Sequence, residues 1–194
     1  MRYLYIFLLF IILLTGCVKY RQEPDAPYTP PPTPPSNEIG LGSLIINEFI
    51  NKGNVDPNEF GVSTKWFEVY NAGEFAIALD TNFYLTDTLG TPDKFQVKIT
   101  KSPIVIQPQN YVVVWCDNMD TAANANDIHT NFSLSSSGEA IGIFYQNPQG
   151  DLMVIDTLTF GPSTNSGVSI GRFPDGKGPH RFRGKRTPGK PNIE

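Results

Sequence analysis

Short apolar runs recur between polar turns from residue 43 to residue 192, and each has the length of a strand. The predicted strands are Leu44–Ile50, Trp66–Tyr70, Ile77–Leu79, Phe83–Leu85, Phe95–Ile99, Ile104–Ile106, Tyr111–Trp115, Ile141–Tyr145, Leu152–Ile155 and Val168–Ile170. Phe95, Val97 and Ile99 alternate with Gln96 and Lys98, the period of a half-buried strand. Tyr111–Trp115 is apolar throughout, as a central strand of a sandwich is. Asn147-Pro148-Gln149-Gly150-Asp151 predicts a hairpin turn, because Pro presets the first dihedral and Gly accepts a left-handed one. No helix-period pattern of useful length occurs. About ten short strands with frequent turns predict an all-β, Ig-like β-sandwich. The Cys–Trp–Cys spacing of antibody domains is missing.

The first forty residues follow a different pattern. Arg2 precedes an unbroken apolar run, Leu4–Leu14, of eleven residues. That is too short for a membrane-spanning helix, which needs about 20 residues, and fits the apolar stretch of a secretory signal. The run ends at Leu14-Thr15-Gly16-Cys17, which resembles the bacterial lipobox. The resemblance implies that Cys17 is acylated and becomes the new N-terminus, with stable membrane attachment through two or more chains. Val18 follows in place of the Asp that commonly retains lipoproteins at an inner membrane, which implies outer-membrane sorting in a double-membraned bacterium. Pro24, Pro27, Pro30, Pro31, Pro32, Pro34 and Pro35 then preclude a helix or inner strand. An extended polyproline tether of this length reaches roughly 60–80 Å. The expected organisation is therefore signal peptide 1–16, lipidated Cys and Pro-rich linker 17–42, and a β-sandwich domain with a basic C-terminal tail over 43–194.

Composition narrows the classes. The chain has 194 residues, 40% hydrophobic and 18% charged, too apolar for disorder and too polar for a multi-span membrane protein. With Cys17 acylated, Cys116 has no partner for a disulfide and reads as a buried thiol on a strand.

The ordered motifs resemble the lamin tail domain in its bacterial form. They begin with Ile45-Ile46-Asn47-Glu48-Phe49 and Trp66-Phe67-Glu68-Val69-Tyr70-Asn71. Leu79-Asp80, Tyr84-Leu85-Thr86-Asp87 and Ile106–Asp117 follow. The most diagnostic run is His129-Thr130-Asn131-Phe132-Ser133-Leu134-Ser135-Ser136-Ser137-Gly138-Glu139. Asp156–Gly161, Gly171-Arg172-Phe173-Pro174-Asp175-Gly176 and Thr187-Pro188-Gly189-Lys190-Pro191-Asn192 complete the order. Asn82 and the Gln107-Pro108-Gln109-Asn110 turn stand where family members usually carry Gly. The resemblance implies an Ig-like sandwich acting as a structural or interaction module, not as an enzyme.

Three chemistries compete with that reading. A Ser/His/Asp hydrolase would draw on His129 or His180 and on Ser133, Ser135, Ser136 or Ser137, but there is no G-x-S-x-G elbow and no alternating helices. His129 is expected instead to order a loop. Asp117, Asp120 and Asp127 lie in an oxygen-rich stretch that suits calcium in donor type, though not in EF-hand spacing. That would make a calcium-dependent glycan-binding or adhesion module; the competing reading is a solvated turn. Charge offers the third. Residues 38–166 hold 15 acids against 5 bases, a net of −10, while residues 167–194 hold 7 bases against 2 acids, a net of +5. Arg181, Arg183, Lys185 and Arg186 could meet an anion such as lipopolysaccharide or nucleic acid. The acidic body disfavours nucleic acid, and the basic run is expected to lie against that body. The implied partners are the membrane, through Cys17, and a protein or glycan.

Overall fold

A computed structural model describes residues 39–99, 102–121, 127–183 and 185–193. Cys17, the signal segment and residues 18–38 of the expected linker lie outside the described residues; Ile39, at its end, is buried in the core. The described chain forms thirteen strands: β1 Leu44–Ile50, β2 Asp56–Pro57, β3 Ser63–Asn71, β4 Ile77–Leu79, β5 Phe83–Thr86, β6 Phe95–Gln96, β7 Ile104–Ile106, β8 Tyr111–Cys116, β9 Asp127–His129, β10 Glu139–Gln146, β11 Leu152–Phe160, β12 Ser169–Arg172 and β13 His180–Arg183.

Seven strands make one sheet in the order β13-β12-β1-β3-β8-β9, with β2 paired to the end of β3. Four make the facing sheet, β11-β10-β5-β6, and β4 pairs with β7. Ladders are antiparallel except β8–β9, which is parallel. This is the predicted all-β, Ig-like sandwich.

Alternation along the central strands sorts their side chains. Phe49, Phe67, Val69, Val112, Val114 and Cys116 enter the main core with residues of the facing sheet such as Phe83, Leu85, Ile141 and Ile155. Burying a side chain of this size contributes about 1.5–3 kcal/mol. The opposite face of the same strands carries a second cluster, Ile50, Trp66, Val113 and Trp115. Glu48 and Glu68 share that second face, because a register shift between Ile46 and Glu48 sets Glu48 opposite Glu68. Tyr111–Trp115 reads as apolar throughout because both of its faces are covered. Cys116 is fully buried, and burial pushes its thiol pKa well up.

The expected hairpin is present. Asn147 N–H donates to Asp151 O (2.9 Å), Asn147 Oδ1 accepts from Asp151 N–H (2.8 Å), and Gly150 has φ 92°. The strand expected over Phe95–Ile99 pairs in full only at Phe95 and Gln96, although Phe95 and Val97 are buried and Gln96 and Lys98 exposed. The two departures from Gly resolve differently. Gln109 takes φ 60°, a left-handed position in a side chain that rarely occupies it, while Asn82 does not need one.

Gly138 is fixed by two constraints. Its φ is 94°, and a Cβ there would stand 2.8 Å from both Gly161 C and Phe160 O. Gly138→Ala is expected to cost about 2 kcal/mol in urea denaturation, from backbone strain and backbone overlap together.

Candidate functional site

The side of the seven-stranded sheet away from the core carries nearly all the unusual polar chemistry. At its centre, Glu48 and Glu68 are both fully buried. Among the described side chains neither forms an ion pair with a Lys or Arg; hydrogen-bond donors, several from the C-terminal segment, serve them. Ser169 Oγ donates to Glu48 Oε1, and Thr187 N–H and Oγ1–H donate to Glu48 Oε2 at 3.2 and 2.9 Å. Glu68 accepts from Asn47 Nδ2 (2.9 Å) and from Gly189 N–H (2.7 Å). Asn47 Nδ2 also donates to Asp175 Oδ1 (2.9 Å), whose other oxygen takes the Tyr111 hydroxyl (2.8 Å). Asn192 N–H donates to Asp175 and its side-chain amide to Arg172 O. Residues 187–192 thus form a strap that satisfies buried carboxylates. Burial raises the pKa of Glu48, and raises that of Glu68 to about 8, against the lowering effect of these hydrogen bonds.

A second node ties one end of the sandwich together. His129 is 1% exposed; its Nδ1 lies 2.6 Å from Asp117 Oδ2 and its Nε2 2.9 Å from Glu59 Oε1. Only the imidazolium can donate at both nitrogens. Burial works against that charge, but the Asp117 and Glu59 carboxylates outweigh it and raise the pKa. The β2–β3 turn closes over this node. Asn58 Oδ1 accepts from Phe60 N–H (3.1 Å) and Val62 N–H (3.0 Å), and Asn58 Nδ2 donates to Asp117 (3.2 Å). The Phe60 ring sits 5.2 Å from the His129 ring and is still 58% exposed.

The expected role of His129 in ordering a loop fits these contacts, since both ring nitrogens are held by carboxylates and neither is left to act as a base. His129→Gln is expected to destabilise the domain by about 3 kcal/mol, because it takes the imidazolium charge away from two carboxylates. The folded pKa lies above the unfolded value of 6.5, so the stabilisation is complete below 6.5 and is lost as pH rises through the folded pKa. Thermal melts should therefore separate wild type and variant more widely near pH 6 than near pH 9.

The acids considered for calcium are placed apart in their contacts. Asp117 serves Asn58, His129 and Met119 N–H; Asp120 pairs with Lys98 (2.6 Å); Asp127 sits on β9. Among the described residues no three His, Cys, Asp or Glu side chains gather as a metal site. Of the four bases considered for anions, Arg186 is used internally. Its Nε donates to both Asp56 oxygens (3.1 and 2.8 Å) and its Nη1 to Gly167 O. Arg181 is exposed on β13, Arg183 stands opposite Ser169 in that strand's register, and Lys185 is exposed. The run therefore begins as an edge strand and ends in an ion pair with the body.

Beside the strap lies a cleft of about 460 Å³. Asp56, Pro57, Val113, Trp115, Asp127 and Pro188 are among the residues that line it. Asp56 also accepts from Trp66 Nε1 (2.9 Å). Sequence reasoning passed over Asp56, Glu59 and Phe60; an exposed Phe inside a Pro-Asn-Glu-Phe-Gly turn was the available signal.

A family model, the Lamin Tail Domain, matches residues 39–162, more than half of the chain. No curated protein and no solved structure gives a significant match. The match spans the two facing sheets through β11, and the strap and β13 lie beyond it. The ordered motifs, the Ig-like sandwich, with no helix among the described residues, and this match agree, and the chain belongs to the lamin tail domain family.

Proposed function

We propose that the protein is a lipid-anchored module of a bacterial cell envelope that works by contact with other molecules and not by catalysis. The observation that carries this reading is the lamin tail domain match, since the Ig-like domain of that family is a non-catalytic fold. The nearest approach to catalytic machinery, Asp117–His129–Glu59, supports it, because both imidazole nitrogens are spent on carboxylates. The anchor rests on the Leu4–Leu14 run ending at Leu14-Thr15-Gly16-Cys17, and the standoff on the prolines between Pro24 and Pro35. Outer-membrane placement rests on Val18.

Radiolabelled palmitate should enter the wild-type protein in the envelope fraction of an expressing bacterium. Cys17→Ser should abolish the label. Equal labelling of both would remove the anchor from this reading, and turnover of a substrate by the purified protein would remove the contact role.

A further inference from the structure

The strap over the seven-stranded sheet is held by polar contacts. Of residues 187–193, only Thr187 and Asn192 are buried, and both are polar. Pro188 is half-buried, and Gly189, Lys190, Pro191 and Ile193 are exposed. Apolar burial, the usual hold on a covering segment, therefore contributes little here. What ties the strap down is a set of donors aimed at carboxylates: Thr187 N–H and Oγ1–H on Glu48, Gly189 N–H on Glu68 and Asn192 N–H on Asp175. Asn192 Nδ2 adds one bond to Arg172 O. The strap is also closed on itself. Thr187 Oγ1 lies 2.7 Å from Asn192 Oδ1, and Lys190 N–H donates to Thr187 O (2.9 Å). A segment with its own internal bonds and no buried apolar side chain can leave a surface as one unit.

The surface beneath the strap is rich in acids. Glu48 on β1 and Glu68 on β3 stand opposite each other in the ladder. Asp175, between β12 and β13, shares the Asn47 amide with Glu68. Tyr111 on β8 donates its hydroxyl to Asp175 and stacks on Tyr70 of β3, and Asp56 on β2 acts on Glu48 at longer range. Asp127 on β9 lines the cleft beside the strap. The basic groups of this face have other contacts or point outward. Arg186 bonds Asp56 and Gly167 O, Arg172 on β12 bonds Ile46 O and Gly178 O, and His180 on β13 reaches Ile46 O. Lys177, Lys185 and Lys190 are exposed. Under the closed strap Glu48 and Glu68 are out of water, which favours their neutral forms; with the strap lifted they meet water and ionise as ordinary carboxyls. Closure thus takes up a proton, and its equilibrium constant falls about tenfold per pH unit between the ordinary carboxyl pKa and the raised one. For Glu68 the raised value is about 8, so its part of the fall ends there.

We infer that residues 187–192 are a proton-latched strap, which lifts from the sheet as a unit when pH rises past neutral while the sandwich beneath stays folded. The contacts carry this: hydrogen bonds to carboxylates are the main hold on the strap, and among the described side chains neither Glu48 nor Glu68 is in an ion pair. The same proton balance acts on the whole domain, but the strap opens first because it has no apolar side chain to withdraw from the core. Pro188 and Gly189 line the cleft together with Val113 and Trp115, so lifting the strap widens that cleft. The device depends neither on the lipid anchor nor on the contact role.

The test follows amide hydrogen exchange by NMR in the full chain, held in nonionic micelles, from about pH 6 to about pH 9. The rates of Thr187 and Gly189 N–H are divided by those of a free peptide spanning residues 185–194, which removes the intrinsic pH dependence of exchange. Amides of β8 and β10 report opening of the whole domain. Protection of Thr187 and Gly189 is expected to lie well below that of β8 and β10 at every pH. It should fall about tenfold per pH unit up to about pH 8 and level off above that. Glu48→Gln and Glu68→Gln together keep an acceptor for each strap N–H and have no proton to lose, so protection should then stay constant with pH. Asp151→Asn, on the exposed β10–β11 turn, should behave as wild type. A melt verifies the fold of each variant, and the wild-type data decide the matter if the double variant does not fold. Strap protection equal to that of β8 and β10 at every pH would mean that the strap opens only with the whole domain, which overturns the inference. So does wild-type protection that is flat with pH, or a fall that persists in the folded double variant.

Discussion

Urea denaturation of the wild-type protein is expected to show stability falling steadily as pH rises from about 5 to about 8, and Glu68→Gln is expected to flatten that slope. The unfolded carboxyl of Glu68 gives up its proton near 4.5 and the folded one only at about 8. Between these values the folded state holds a proton that the unfolded state has lost, so ΔG of unfolding decreases with pH. The slope for one such group is about 1.4 kcal/mol per pH unit. Glu48 stands opposite Glu68 in the ladder, and burial raises its pKa too, so the two titrate as a pair. Asp127, Glu139 and Asp156 are shifted upward as well, each chiefly by burial, so their contributions carry the same sign. Gln in place of Glu68 keeps an acceptor for Gly189 N–H and has no proton to lose. It should therefore match wild type near pH 5 and exceed it near pH 8. A wild-type stability that is flat or rising over this range would contradict the buried-acid account.

Removing residues 187–194 is expected to be more damaging than any point change on the surface, with a loss of about 4 kcal/mol or failure to fold. The segment contributes little apolar area. Its importance is that Thr187 and Gly189 N–H, with the Thr187 hydroxyl, serve Glu48 and Glu68, and Asn192 serves Asp175. Stripping donors from buried carboxylates exposes their desolvation penalty, about 1–3 kcal/mol per group and more when charged. The family match ends at residue 162, so a domain cut there would keep the β1–β3, β3–β8 and β10–β11 ladders but lose β12, β13 and this cover. Restoring stability to the truncated chain with Glu48→Gln and Glu68→Gln together would identify the carboxylates as the cause. Full stability of the truncated chain without them would refute it.

Much of the architecture is legible in local pattern. β1, β4 and β7 have the predicted bounds, and β3, β5, β8, β10 and β11 contain the predicted runs, because apolar runs of strand length report burial directly. The short strands β2, β9 and β13 are not legible. β2 is Asp56-Pro57, β9 is Asp127-Ile128-His129 and β13 carries His and Arg; each sits at or near a sheet margin, where pairing needs no apolar alternation. Arg186 shows the same limit. Its place in a basic run suggests an exposed anion site, yet its geometry is a two-oxygen bond to Asp56, 130 residues away in the chain.

The amino-acid sequence by itself settled the all-β class, the position of most strands, the hairpin at Asn147–Asp151 and the family to which the ordered motifs point. Tertiary structure alone decided the fate of the polar residues inside those motifs. A Glu in a strand reads as exposed until the opposite face acquires a lid, and the lid here comes from a segment more than a hundred residues later. Apolar burial is a property of spacing along one strand, whereas the satisfaction of a buried charge depends on which distant donor the fold brings to it.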